Sequence, residues 1–200
     1  GECSRVITYD FNLTPENPPG QDTITQNVDS ILVNATYYCP TGQTRYARTF
    51  VNSNPTDLIL NTAILGVFLS SNSPTITVNI FSQDDDLLYS TSVIVPNLDT
   101  DIFNVGLGNT VIPAGESYTM EVVTPPPFVS IFLMGRNDQG NITNEAQITS
   151  ESCSNPQYLV SGAAGANSIV MSVVATPEEF KLINNSPYPY ESGDAFPVSE

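Results

Sequence analysis

Short runs rich in β-branched and aromatic residues recur along this chain, and turn-forming Asn, Asp, Gly, Pro and Ser separate them. Helix signals are nearly absent. This pattern is typical of all-β domains built from antiparallel strands. We therefore predict an antiparallel β-sandwich of the jelly-roll or immunoglobulin-like kind. The predicted strands are 31–38, 46–51, 58–69, 75–82, 87–95, 103–107, 117–124, 129–135, 146–149 and 168–175.

The runs at 75–82 and 87–95 predict a hairpin. Residues 75–81 alternate between polar and apolar, so one face of that strand should meet solvent. Asp84, Asp85 and Asp86 form its turn. A second turn is predicted between 111 and 118, because Pro and Gly supply turn geometry there.

An isolated amphipathic strand precedes the predicted domain. Ile7, Tyr9, Phe11 and Leu13 alternate with polar residues, and the proline-rich segment 15–20 separates them from the rest. Such a strand has one apolar face to bury. Two interpretations stay open: it is the first strand of its own sandwich, or it completes the sheet of a neighbouring subunit.

The chain divides into three predicted regions. Residues 1–23 are an N-terminal extension with the candidate donor strand, and residues 24–176 are the sandwich. Residues 177–200 form a proline-rich tail, which by itself should be extended or disordered.

The balance of acidic and basic residues limits the classes of partner that the chain can bind. The chain has 21 acidic and 5 basic residues, a net charge of −16. Nucleic acids and anionic membranes are bound through Lys and Arg, so we predict neither as a partner. No stretch approaches the roughly 20 apolar residues of a membrane-spanning helix. The chain starts at Gly1, which fits a mature product after signal removal, and we expect an extracellular or cell-surface location.

Three cysteines, Cys3, Cys39 and Cys153, lack the spacing of zinc or redox motifs. An extracellular protein would form one disulfide from them. We prefer Cys39–Cys153, since each borders the strand-rich core, which leaves Cys3 free or bonded to another chain. A Cys3–Cys39 bridge and three reduced cysteines remain alternatives.

Candidate glycosylation sequons occur at Asn12, Asn34, Asn141 and Asn184. Several would arise by chance in a chain rich in Asn and Thr.

Catalytic patterns are missing from the sequence. The absence of histidine excludes Ser-His-Asp and Cys-His mechanisms, and the only lysine, Lys181, lies in the tail. Two carboxylates would suffice for a glycosidase, but no sequence context supports one. We predict no enzymatic activity and no cofactor.

Two weaker binding hypotheses remain. Asp84, Asp85 and Asp86 could bind Ca²⁺ through carboxylate oxygens, although a solvated hairpin turn is the preferred interpretation. Tyrosines could stack on sugars in place of the missing tryptophan, although packing within the sandwich is preferred for each. The candidates are Tyr37, Tyr38, Tyr46, Tyr188 and Tyr190.

Motifs between about residues 24 and 176 carry a resemblance to a known module. They are Thr25-Gln26-Asn27, Tyr37-Tyr38-Cys39, Arg48-Thr49-Phe50, Leu65-Gly66-Val67, Ile76-Thr77-Val78-Asn79-Ile80, Ile112-Pro113-Ala114-Gly115, Met120-Glu121-Val122, Met134-Gly135-Arg136-Asn137, Ile148-Thr149-Ser150-Glu151-Ser152-Cys153 and Ser168-Ile169-Val170-Met171. With them the chain resembles a β-sandwich module of secreted and outer-surface proteins of marine Bacteroidota. The resemblance implies the fold, an extracellular place and the Cys39–Cys153 bridge. Such modules usually belong to larger adhesins or enzymes with a sorting domain, which is not seen here.

The functional prediction is a structural subunit that polymerises into a surface filament of identical copies. Residues 6–13 would add a strand to the next subunit, and Cys3 could lock the joint. The alternative is a monomeric glycan-binding or adhesive module.

Overall fold

A computed structural model of the chain describes residues 21–25, 27, 30–36, 38–137, 146–150, 157–160 and 168–178. These residues form two antiparallel sheets packed together as a β-sandwich, with no helix among them. The predicted fold class is confirmed. The strands are β1 (Asp22–Thr25), β2 (Asn34–Ala35), β3 (Thr44–Val51), β4 (Leu58–Ser71), β5 (Thr75–Ser82), β6 (Leu87–Ile94), β7 (Leu98–Ile112), β8 (Ser117–Thr124), β9 (Ile131–Asn137), β10 (Ala146–Thr149), β11 (Gln157–Val160), β12 (Ser168–Ile169) and β13 (Met171–Pro177).

The first sheet has the order β1-β13-β4-β9-β12, with β2 added to β9 and β7 added to β4. The second sheet has the order β11-β10-β3-β8-β5-β6. From β3 to β9, the connections alternate between the two ends of the sandwich. Loops 52–57, 83–86 and 113–116 lie at one end, and loops 72–74, 95–97 and 125–130 lie at the other.

The core lies between the sheets and is built from alternating strand positions. In β5, Ile76, Val78 and Ile80 are fully buried while the residues between them are partly exposed. This confirms the predicted alternation of residues 75–81. Full burial of each such side chain contributes roughly 1.5–3 kcal/mol relative to exposure. The hairpin β5–β6 and the turn between β7 and β8 are also confirmed.

Several boundaries differ from the predictions for identifiable reasons. Among the described residues of the predicted strand 31–38, the two residues of β2 form the strand, and they pair with Arg136 and Gly135 of β9. The predicted strand 103–107 is part of the much longer β7, whose polar Asp99–Asp101 start hides the apolar pattern. β1 and β11 have no predicted counterpart.

The predicted strand 168–175 is divided at Val170, which lies between β4 and β9. Its N–H donates to Gly135 O at 3.0 Å, and its carbonyl accepts the Gly66 N–H at 2.8 Å. Residues 168–169 pair with β9 and residues from Met171 pair with β4, so the segment changes its partner strand at Val170.

The sandwich extends slightly past its predicted bounds. β1 starts at Asp22 and pairs with β13, which continues to Pro177. The donor-strand residues 6–13 and most of the predicted tail lie outside the described residues. No helix within the described ranges is long and apolar enough to cross a membrane.

Candidate functional site

The outer edge of β6 is the most distinctive surface of the sandwich. Within the described part of the chain, β6 pairs with β5 alone. Its eight residues, Leu-Leu-Tyr-Ser-Thr-Ser-Val-Ile, include no charge, proline or glycine. Leu87 is 57% exposed and Ile94 is 69% exposed. Apart from one register shift near Leu87, the strand offers a continuous row of backbone donors and acceptors.

Natural proteins usually protect edge strands with charges, prolines, bulges or a strong twist. β7, which pairs only with β4 among the described strands, has such protection. It contains Asp99 and Asp101, a register irregularity opposite Asn61, and residues with positive φ at Thr100 and Asn109. β6 carries no charged residue, and its outer edge is therefore open to pairing with another strand.

β6 and β7 belong to different sheets but meet at the same side of the sandwich. The Tyr89 ring of β6 packs against Gly108 of β7, where a Cβ atom would overlap the ring. Gly108 also has a φ of +64°, a conformation that favours glycine. The Tyr89 hydroxyl lies 3.5 Å from Gly106 O. Tyr89 thus bridges the two edges at one point.

Around this bridge the core is incompletely covered. Tyr89 and Val93 of β6, and Leu98 and Phe103 of β7, pack against the buried cluster yet remain partly exposed. A strand placed along β6 would shield part of this apolar surface. The site is therefore an uncharged backbone edge beside partly covered core residues.

The three consecutive aspartates form the turn of the β5–β6 hairpin. The N–H groups of Asp84 and Asp86 donate to Ser82 Oγ at 3.1 and 3.2 Å, and Asp85 has a φ of 65°. No group of three or more possible metal ligands is present in the described ranges. The hairpin turn accounts for the presence of the three aspartates. The geometry of the described residues does not support the predicted Ca²⁺ site.

Most other candidate residues lie outside the described ranges. They are Ile7, Tyr9, Phe11, Leu13, Cys3, Cys153, Asn12, Asn141 and Asn184. Cys39 is described and buried, and its N–H donates to Thr44 Oγ1 at 2.8 Å. Because both possible disulfide partners of Cys39 lie outside, the pairing stays a prediction.

Asn34, the described sequon residue, lies exposed on β2, and its Oδ1 accepts the Ala35 N–H at 2.8 Å. The sequon threonine, Thr36, is buried and donates to Met134 O. An exposed Asn34 is compatible with glycosylation, which also stays a prediction.

The tyrosine candidates separate into distinct environments. Tyr46 is fully buried, whereas Tyr38 is exposed near the start of β3. Tyr37, Tyr188 and Tyr190 lie outside the described residues. Tyr46 therefore packs in the core, as preferred from the sequence, and cannot stack on a sugar.

A hydrogen-bonded polar network covers part of the outer face of the second sheet. Glu121 Oε1 accepts from Arg45 Nη1 at 3.2 Å and from Asn79 Nδ2 at 2.9 Å. Asn79 Oδ1 in turn accepts from Ser90 Oγ at 2.7 Å. The side chains lie on four adjacent strands, so the network forms a flat polar surface.

Two features of these surfaces were missed from the sequence. The edge position of β6 depends on strand order, which the sequence did not predict. Val129 was predicted to begin a strand, yet it lies with Phe128 in an exposed loop before β9. The lack of charged residues between positions 87 and 95 was the one local feature of the sequence that indicated an unprotected edge strand.

No protein-family model and no curated protein matches this chain. The resemblance to a Bacteroidota surface module therefore stays a prediction.

Proposed function

We propose that this chain is an extracellular structural subunit that polymerises into a filament by strand addition. Residues 6–13 of one copy would pair with the outer edge of β6 in the next. The observation that carries the proposal is the uncharged β6 edge, which no described strand covers.

The donor and acceptor segments match in length and chemistry. Residues 6–13 and β6 each comprise eight residues. Backbone pairing would satisfy the edge groups of β6, while apolar donor side chains would cover Tyr89 and Val93. Burial of each large donor side chain contributes roughly 1.5–3 kcal/mol. Ordering the donor backbone costs roughly 1–2 kcal/mol per residue. Backbone pairing and side-chain burial are therefore both needed to offset this cost.

Deletion of residues 1–20 tests the donor. We expect the full chain to form filaments in electron micrographs and the truncated chain to elute as a monomer. A full chain that stays monomeric would refute polymerisation. Filaments formed by the truncated chain would refute the donor strand.

A substitution pair tests the acceptor. Thr91 lies in the middle of β6 and Thr75 on the neighbouring interior strand β5. Thr91→Lys should block polymerisation, because a charge on an edge strand opposes strand addition. Thr75→Lys adds the same charge away from the edge and should polymerise normally. Thermal unfolding of both variants checks that each is folded. If Thr91→Lys, folded, polymerises like the control, β6 is not the acceptor.

The proposal includes a Cys39–Cys153 disulfide that secures the domain, with Cys3 available to bond between subunits. The buried position of Cys39 supports a structural role. Peptide mapping under non-reducing conditions would identify the bridge. A Cys3–Cys39 peptide in the monomer would contradict this assignment.

The second candidate function is glycan binding at the polar network of the second sheet. Arg45, Glu121 and Asn79 hold one another in fixed orientations and retain further donor and acceptor capacity. Binding on a glycan array that is lost in Glu121→Ala but kept in Thr75→Lys would favour this function. Absence of glycan binding by the wild-type monomer would exclude it.

A further inference from the structure

We infer that the β8–β9 loop, residues 125–130, docks onto the opposite end of a second copy of this chain. The contact would add an end-to-end interface to the strand-addition polymer, and the inference rests on that proposed function. The docking residues are Phe128 and Val129 on one copy, and Leu87 and Leu88 on the other.

The loop presents two apolar side chains on a stiff backbone. Phe128 is 72% exposed and Val129 is 66% exposed. Three prolines, Pro125–Pro127, precede them, and the Val129 N–H donates to Pro126 O at 3.3 Å. Proline fixes φ, so little conformational entropy is lost when the loop docks. Large exposed apolar groups on a restrained loop are characteristic of a contact surface.

The two ends of the sandwich differ in charge. Loops 72–74, 95–97 and 125–130 contain no charged residue, and the aspartates at this end are Asp99 and Asp101 at the start of β7; we call this the uncharged end after its loops. The opposite, acidic end carries Asp57 and Asp84–Asp86 in its loops, with Glu116 between β7 and β8. Because each copy has a net charge of −16, two acidic ends would repel. Contact between an uncharged and an acidic end reduces this repulsion.

The position at which β1 begins favours the same contact between an uncharged and an acidic end. β1 begins at Asp22, opposite Ala175 near the end of β13, which places the start of β1 towards the acidic end. In the proposed polymer, the N-terminal segment would therefore leave the domain from that end. In a polymer built by one repeated head-to-tail contact, the neighbour that it reaches presents its uncharged end.

The acidic end also offers apolar side chains for the loop. Leu87 and Leu88 start β6 directly after the aspartate turn, and they are 57% and 43% exposed. Phe81 of β5 is the cross-strand partner of Leu87. These residues form an apolar patch that Phe128 and Val129 of the next copy could cover.

The test uses the full chain and the double variant Phe128→Ser/Val129→Ser. We expect the concentration for half-maximal polymerisation to rise roughly tenfold or more, which corresponds to about 1.4 kcal/mol. Val33→Ser is the matched control, since Val33 is 50% exposed and lies beside Arg136 of β9 on the first sheet, away from loop 125–130 and from Leu87 and Leu88. It should polymerise like the wild type. Circular dichroism of the monomers verifies that both variants fold.

Photo-crosslinking identifies the partner surface. p-Benzoylphenylalanine replacing Phe128 should crosslink to residues 81–88 of another copy. Crosslinks between two 125–130 loops, or no crosslinks between copies, would overturn the inference.

The two proposals fail in different ways. If wild-type filaments require residues 1–20 but the double variant polymerises normally, the loop contact is wrong and strand addition stands. If the wild type forms no filaments, both are wrong.

Discussion

Nη1 of Arg48 on β3 lies 3.1 Å from Oδ1 of Asn27, so a guanidinium of the second sheet meets an amide beside the first. Both residues are buried. Nη1 also lies 3.5 Å from Met171 O at the start of β13. Burial lowers the pKa of Arg48 to about 10, and the side chain remains charged at neutral pH. A buried charge is stable only with hydrogen-bonding partners, so this contact helps to fix how the two sheets pack.

Asn27→Ala should destabilise the fold by about 1.5–3 kcal/mol, because it removes a hydrogen-bond acceptor from a buried charged group. Urea unfolding of the monomer, for example the 1–20 deletion variant, would measure the loss. Asn27→Asp keeps an acceptor and should lose less at pH 7. Equal losses in the two variants would show that the side-chain oxygen is not important.

Two buried tyrosines should respond in opposite ways to loss of the hydroxyl. Among the described residues the buried Tyr118 hydroxyl has no hydrogen-bond partner, and the Tyr118 ring stacks on Phe50 with centroids 5.4 Å apart. The Tyr46 hydroxyl bonds to Thr36 and to the Met134 backbone. Tyr118→Phe should leave stability unchanged or raise it by about 1–3 kcal/mol, since an unsatisfied polar group is removed.

Tyr46→Phe is the matched comparison. It should cost about 1 kcal/mol or more, because it breaks hydrogen bonds in the core. Thermal or urea unfolding of the two variants side by side measures both effects. A larger loss for Tyr118→Phe than for Tyr46→Phe would contradict the assignment of partners.

Alkaline pH should weaken the fold. Burial raises the pKa of Tyr46 and Tyr118 above the ordinary value of about 10. Above that pH the unfolded chain releases two protons that the folded chain keeps, so stability falls. Arg48 acts oppositely, since its pKa is lowered to about 10 in the fold and the folded chain releases that proton first.

Two tyrosines lower the stability with rising pH and one arginine raises it. The free energy of unfolding should therefore fall by about 1.4 kcal/mol per pH unit above roughly pH 10, until Arg48 also titrates in the unfolded chain. Tyr118→Phe leaves one group on each side and should give a nearly flat profile. Urea titrations between pH 9 and 12 measure the slopes. An unchanged slope in Tyr118→Phe would contradict the linkage.

Leu32 packs closely over two glycines of the first sheet. A Cβ on Gly135 would lie 2.7 Å from Leu32 Cδ2, with only Leu32 atoms among its nearest neighbours. A Cβ on Gly66 would also lie 2.7 Å from Val170 Cβ. Gly135→Ala should therefore destabilise by about 1–3 kcal/mol through overpacking, and adding Leu32→Ala should relieve that clash.

Gly66→Ala should not be rescued by Leu32→Ala, because the contact with Val170 remains. Urea unfolding of the three single and two double variants separates these effects as two double-mutant cycles that share Leu32→Ala. Equal rescue at both glycines would show that Val170 can move aside.

Local sequence patterns correctly predicted those strands whose own residues alternate between polar and apolar. The bounds of β5, β8 and β10 agree with the predictions, since alternation with a period of two is set by neighbouring residues. The turn near Gly115 was likewise predicted from Pro and Gly. Val129 shows the limit of such patterns, because an apolar residue at a strand boundary can equally belong to an exposed loop.

By itself, the sequence determined an all-β chain, its main strands and an acidic surface with little cationic capacity. Only the tertiary structure decided that β6 is an edge, that Arg48 meets Asn27, and that uncharged and acidic loops gather at opposite ends. The reason is that strand order and burial of polar groups depend on contacts between distant residues. Ser172 and Thr25, whose hydroxyl oxygens lie 2.7 Å apart across 147 positions, are joined by such a contact, and no local pattern encodes it.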